Sequence, residues 1–236
     1  MTRVAPARPM SLRRGGHLRG CPPAAVAIGA STGGPQALST VLGGLPADLP
    51  AYLFVVQHIH PKFTPMLARR LGERCVLPVV EGRDGDLARP GIVYLAPGGS
   101  HLTVEPDRAG PILRLSDGPP VHGVRPCADF LFRAVARVFG PRAVAVVLTG
   151  MGSDGLEGCR AVRARGGVVF AEAAETCAVF GMPRALIEAG VADRVLPAGA
   201  MAKAIATVVA QIALPGSLRR RRIAQRLGTL GRSSSG

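Results

Sequence analysis

The sequence contains no tryptophan, and aromatic residues make up only 4% of it, so stacking platforms for nucleic-acid bases are poorly supplied. Long apolar runs are also missing. The longest, such as Ala143–Leu148 and Leu53–Val56, are far too short to span a bilayer, which excludes membrane insertion by a helix. Paired cysteines are missing as well. Cys21, Cys75, Cys127, Cys159 and Cys177 are scattered singly, without metal-site spacing, and read as reduced thiols in a cytoplasmic protein.

Acidic residues are absent from both ends of the chain. Residues 1–23 carry five arginines and no acid, and residues 215–236 carry six arginines and no acid. The net charge of +14 is therefore concentrated in two tails, and the middle holds 18 basic residues against 15 acidic ones. The tails read as solvated basic arms without specific nucleic-acid recognition. Arg13-Arg14 resembles a twin-arginine export signal, but the segment after it opens with Pro22-Pro23 and runs directly into the first strand, so export is rejected.

What is present is a core-forming sequence: 47% of the 236 residues are hydrophobic. From Ala24 to Leu214 short apolar runs alternate with amphipathic segments. Strands are expected at 24–29, 51–57, 77–80, 92–95, 143–148 and 168–171. Helices are expected at 36–42, 64–74, 128–139, up to Arg165, after Pro183 and at 201–212. Residues 102–105 and 112–115 read as a β-hairpin. The alternation predicts one α/β domain over 24–214, doubly wound around a mainly parallel sheet with helices on both faces.

Three segments carry chemistry. Gly29-x-Ser31-x-Gly33 follows a buried strand and precedes Pro35 at a helix start. It reads either as a nucleophile elbow with helix-terminal amides beside it, or as an N-cap Ser in a βα turn that binds phosphate or nothing. Gln57-His58-Ile59-His60 lies at the end of the second long strand, on the edge where parallel strands deliver their residues. His58 is thus a candidate general base. A metal reading of His58 and His60 finds no third ligand nearby. Gly150-Met151-Gly152-Ser153-Asp154-Gly155 follows the most apolar strand, and Asp154 is placed to orient a histidine. The same segment fits a dinucleotide fingerprint, with Glu172 ending the next strand where a ribose-binding acid belongs. The carboxylate of Asp154 in that loop argues against a bound pyrophosphate.

Taken together, these segments resemble the catalytic domain of the chemotaxis protein-glutamate methylesterase family, CheB. The resemblance is carried by Ala27–Pro35, Gln57-His58, Phe63-Thr64, Leu67–Leu71, Tyr94–Leu102, Leu148–Gly155 and Gly181-Met182-Pro183, in the family's order over about 24–197. It implies a Ser31-His58-Asp154 triad, with Thr32 and Met151 beside the oxyanion and no metal or cofactor. The implied activity is hydrolysis of γ-glutamyl methyl esters, with release of methanol, on the cytoplasmic domains of methyl-accepting chemotaxis receptors or similar methylated proteins, and deamidation of selected glutamines.

Family members usually carry an N-terminal receiver domain. Only residues 1–23 precede the first strand here, so the expectation is a chain that lacks this control, with a separate regulatory partner as one candidate source of regulation. Two segments depart from the family's pattern. Glu172-Ala173-Ala174 replaces Gln-Asp-Glu, and Cys127-Ala128 replaces Ser-Val in Arg125–Asp129. A non-catalytic receptor-binding adaptor of the same fold is the alternative, and a dinucleotide-binding module is the more distant one.

Overall fold

The structure is a computed structural model that describes residues 23–214. Apart from Pro23, the two basic arms, Cys21 and the Arg13-Arg14 pair lie outside the described residues.

The first strand, β1 (Ala24–Ala30), is buried along its whole length, which explains why its sequence is continuously apolar rather than alternating. It leads into α1 (Gly34–Gly43), β2 (Ala51–Gln57), α2 (Thr64–Gly72), β3 (Val79–Glu81) and β4 (Val93–Leu95). An antiparallel hairpin of β5 (His101–Glu105) and β6 (Ile112–Ser116) follows, then α3 (Ala128–Phe139) and β7 (Ala143–Val147). The chain continues through α4 (Leu156–Ala164), β8 (Val168–Glu172), α5 (Met182–Glu188), β9 (Arg194–Leu196) and α6 (Ala198–Ile212).

Seven strands form the main sheet in the order β3-β4-β2-β1-β7-β8-β9, and every pairing in it is parallel. Alternate residues of each strand serve opposite faces. Val26, Ile28, Leu53, Val55, Val144 and Val146 pack with Leu38 and Leu42 of α1, Leu71 of α2 and Ile205 and Val209 of α6. Ala25, Ala27, Phe54, Val56, Ala145 and Val147 pack with Leu131 and Phe132 of α3, Val162 of α4, Leu186 of α5 and the hairpin. Both faces are thus covered, as the continuous apolar runs require. The fold is the α/β class read from the sequence.

Several details differ from the sequence reading, among them β3 at 79–81 rather than 77–80 and α1 at 34–43 rather than 36–42. The edge strand β9 is not evident in the sequence, because Arg194 and Val195 are exposed and only pairing with β8 defines it. The last helix begins at Ala198 rather than 201, and α2 ends at Gly72 rather than 74.

On one side of β1 the chain lays down β2, then the edge strand β3, then β4 between them; on the other side it lays down β7, β8 and β9 in turn. The winding therefore reverses between β1 and β7. In open parallel sheets, the crevice at the carboxyl ends of the strands beside such a reversal is where ligands bind.

Candidate functional site

Ser31 follows the last residue of β1, and its amide donates to the Thr149 carbonyl at 3.0 Å, pinning the turn to the end of β7. The turn closes through the Gly34 amide, which donates to the Ser31 carbonyl at 2.8 Å. Gly33 has φ +80°, a left-handed conformation that other residues resist, so the chain reverses sharply into α1 and leaves Ser31 partly exposed. Pro35 in the first turn of α1 supplies a pre-set φ where no amide hydrogen is needed.

His58 directly follows β2, and its amide donates to the Ala30 carbonyl at 3.0 Å, extending the β1–β2 pairing by one step. Its side chain is 11% exposed, and its Nε2 lies 2.7 Å from Oδ2 of Asp154. An ionised carboxylate only accepts, so Nε2 carries the proton and Nδ1 is the free lone pair. The Ser31 hydroxyl makes no hydrogen bond with His58 in this structure. Such contacts are often loose before substrate binds.

Asp154 is only 2% exposed and sits just before α4. Its carboxylate faces the start of α3: Oδ2 also accepts from the Ala128 amide at 2.7 Å, and Oδ1 accepts from the Asp129 amide at 3.1 Å. The Cys127 thiol donates to Oδ1 at 3.0 Å. Helix N-termini present unpaired amides and positive potential, a setting that favours an anion. Burial pushes the carboxyl group upward, but bonds from His58, Cys127, Ala128 and Asp129 outweigh it and bring the pKa to about 2. Asp154 therefore stays ionised throughout the neutral range.

The brace is reciprocal. Asp129, inside α3, accepts from the Gly158 amide of α4 at 2.6 Å, while Asp154, ahead of α4, caps α3. His122 lies 3.2 Å from the other oxygen of Asp129. Burial raises the Asp129 pKa, as does the charge of Asp154, against the bonds from Gly158 and His122. His122, Asp129 and Asp154 bring three potential ligand atoms within 4.8 Å of one another. Both carboxylates already accept N–H bonds from helix starts, a setting built for anionic oxygen rather than for a shared cation.

Of the other residues singled out from the sequence, Thr32 is exposed in the elbow and Met151 is 76% exposed beyond β7. His60 stands apart from His58: its Nδ1 accepts from the Lys62 amide at 3.3 Å and caps a single 3-10 turn. Buried His101 belongs to the hairpin, with Nε2 3.1 Å from the Pro119 carbonyl and its ring stacked on Phe130.

Glu172 is 0% exposed and accepts from the Thr149 amide at 2.7 Å and the Thr176 hydroxyl at 2.9 Å. Thr149 in turn donates through Oγ1 to the Thr32 carbonyl at 2.9 Å. The acid that a dinucleotide site would offer to a ribose thus lies beneath the Ser31 turn and is committed to the protein's own donors.

The amide capping of Asp154 and the Cys127 thiol were missed in the sequence. Cys127-Ala128-Asp129 does mark a helix start, but nothing local says that a carboxylate from 25 residues further on occupies it. The side-chain contacts of Gln57 were missed for the same reason.

Comparison with known proteins agrees with this architecture. A family model described as CheB methylesterase matches residues 26–205. The protein-glutamate methylesterase/protein-glutamine glutaminase of Symbiobacterium thermophilum is 49% identical over 186 residues, covering 79% of this chain and 51% of that protein. The corresponding protein 1 of Myxococcus xanthus is 48% identical over 191 residues, covering 80% and 55%. The chain thus spans about half the length of these curated relatives. The crystal structure of the Thermotoga maritima CheB methylesterase catalytic domain superimposes with a TM-score of 0.78 at 42% identity, over 79% of this chain and 99% of that one. With family match, close relatives and fold in agreement, the chain belongs to the CheB methylesterase family.

Proposed function

We propose that this chain is a protein-glutamate methylesterase that cleaves γ-glutamyl methyl esters on the cytoplasmic domains of methyl-accepting chemotaxis receptors by serine catalysis. The observation that carries the reading is the 2.7 Å contact between His58 Nε2 and an ionised, amide-capped Asp154, at the strand edge that also holds the Ser31 elbow. Among the described residues, no helix is long and apolar enough to cross a membrane.

In this mechanism Ser31 Oγ attacks the ester carbonyl and passes its proton to His58 Nδ1, because Nε2 is occupied by Asp154. Asp154 steadies the imidazolium that forms. The carbonyl oxygen becomes an oxyanion. The amides of Thr32 and Met151, for which no acceptor is found among the described residues, are its candidate donors. His58 then protonates the departing methoxide, methanol leaves, and the glutamyl group remains as an ester on Ser31. Water, deprotonated by His58, attacks that ester, and collapse releases the glutamate side chain and restores Ser31. The same steps with ammonia as leaving group deamidate a glutamine, an activity that the relatives' names include. The residues in hand carry each of these steps without a metal or cofactor.

The test is methanol release from a methyl-esterified receptor cytoplasmic domain. The wild type is expected to release methanol, and Ser31→Ala to lose at least about a thousand-fold in rate with an unchanged melting temperature. Equal release by Ser31→Ala refutes the nucleophile. A folded wild type that binds receptor but releases nothing favours the adaptor.

A further inference from the structure

We infer that Gln57 is a positioning residue whose side-chain amide sets the separation of the nucleophile and the base, an inference that rests on the serine-hydrolase reading above. Gln57 is the last residue of β2 and is 3% exposed. Its Nε2 donates one hydrogen to the Ser31 carbonyl at 2.8 Å and the other to the His58 carbonyl at 3.0 Å. A single planar group therefore ties the backbone of one triad residue to the backbone of another, 27 positions apart. The orientation of the amide is fixed by this network, since the flipped form would aim Oε1 at two carbonyl oxygens.

Two features show that the fold accepts a cost to keep this clamp. Oε1 is buried with no hydrogen-bond partner, an arrangement that native interiors ordinarily avoid. It also occupies the place of a side chain at Gly34. A Cβ there would stand 1.9 Å from Oε1 and 2.9 Å from Cδ, so the first residue of α1 must lack one. Gly34 returns its own amide to the same Ser31 carbonyl. The Ser31 and His58 side chains make no bond to each other in this structure, so the distance from Oγ to Nδ1 is set by the backbones that Gln57 joins. Displacing reacting groups by about 1 Å costs on the order of a hundred-fold in rate. The clamp acts on that quantity and not on substrate affinity.

The experiment compares wild type, Gln57→Met and Gln57→Glu by methanol release from a methylated receptor domain. Ser31 is labelled in parallel with a fluorophosphonate, and the fold is checked by near-ultraviolet circular dichroism. Gln57→Met keeps the length and loses both donors; its kcat is expected to fall about 10- to 100-fold with KM changed less than about 3-fold. Gln57→Glu places an anion against two carbonyls at neutral pH, and protonation restores one donor. The ratio of its kcat to that of wild type is therefore expected to rise as the pH is lowered. If Gln57→Met does not fold, this pH series alone decides. Wild-type kcat in folded Gln57→Met, or a pH-independent ratio for folded Gln57→Glu, overturns the inference and leaves the hydrolase intact. A wild type that neither releases methanol nor labels at Ser31 overturns both.

Discussion

Replacing Asp154 by Asn keeps the shape of the side chain but turns one acceptor oxygen into an NH2 group. Both oxygens are occupied, Oδ2 by His58 and the Ala128 amide, Oδ1 by Cys127 and the Asp129 amide. Whichever way the new amide lies, its NH2 meets a buried backbone N–H that it cannot satisfy. An unsatisfied buried donor costs about 1–3 kcal/mol, and the lost charge at the α3 terminus adds about 0.3–1 kcal/mol, together about 1.3–4 kcal/mol. The pKa supplies an independent figure: lowering it from 3.8 to about 2 on folding corresponds to about 2.4 kcal/mol.

The melting temperature at pH 7 is therefore expected to fall by about 3–16 °C in Asp154→Asn. Because the folded pKa is the lower one, the charge contribution is complete above the unfolded value and is lost as the pH falls toward about 2. The gap between wild type and variant should thus narrow as the pH drops from about 4 toward 2. In turnover, the imidazolium loses its carboxylate, or His58 is driven into the tautomer that cannot accept the Ser31 proton, and kcat drops about ten-thousand-fold. Thermal unfolding across pH and methanol release check both arms. A variant with unchanged melting temperature at pH 7 and substantial turnover would refute the reasoning.

Burial, and after it the charge of Asp154, hold the Cys127 thiol protonated at neutral pH, so it serves as a donor and not as a nucleophile. Cys127→Ser should keep kcat within a few-fold, Cys127→Ala should lose about 1 kcal/mol in urea unfolding, and iodoacetamide should leave Cys127 unmodified in the native protein. Glu172→Gln can accept from the Thr149 amide and donate to Thr176 Oγ1, so its stability should stay within about 0.5 kcal/mol, whereas Glu172→Ala should lose about 1–3 kcal/mol. Because the Glu172 carboxylate is committed to these donors, calorimetric titration with NAD or NADP should show no saturable binding; saturation abolished by Glu172→Ala would restore the dinucleotide reading.

Much of the architecture was legible because the strongest signals are local. Buried strands such as Ala24–Ala30 and Ala143–Val147 are continuously apolar, and α3 repeats its apolar residues at helical spacing. The edge strand β9 lacked such a signal, since half-exposed Arg194 and Val195 become a strand only by pairing with β8. Ser31, His58 and Asp154 were legible as candidates because each follows a buried strand, or the turn just after one. Glycine spacing alone did not separate triad acid from dinucleotide loop, since both readings use the same glycines; the Asp154 carboxylate was what argued against the second.

The sequence by itself determined the order of the strands and helices other than β9, the sharp turns after β1 and β7, and the residue types that acyl transfer needs. Those are properties of short windows, set by hydrophobic period and by glycine and proline backbones. The tertiary structure decided what the residues do to one another. It turned Asp154 toward the start of α3 and holds it ionised there, hid Glu172 beneath the Ser31 turn, and laid the Gln57 amide between two carbonyls. Each depends on groups brought together from distant parts of the chain, and the free energy of a buried polar atom is governed by the partners it meets rather than by its neighbours in sequence.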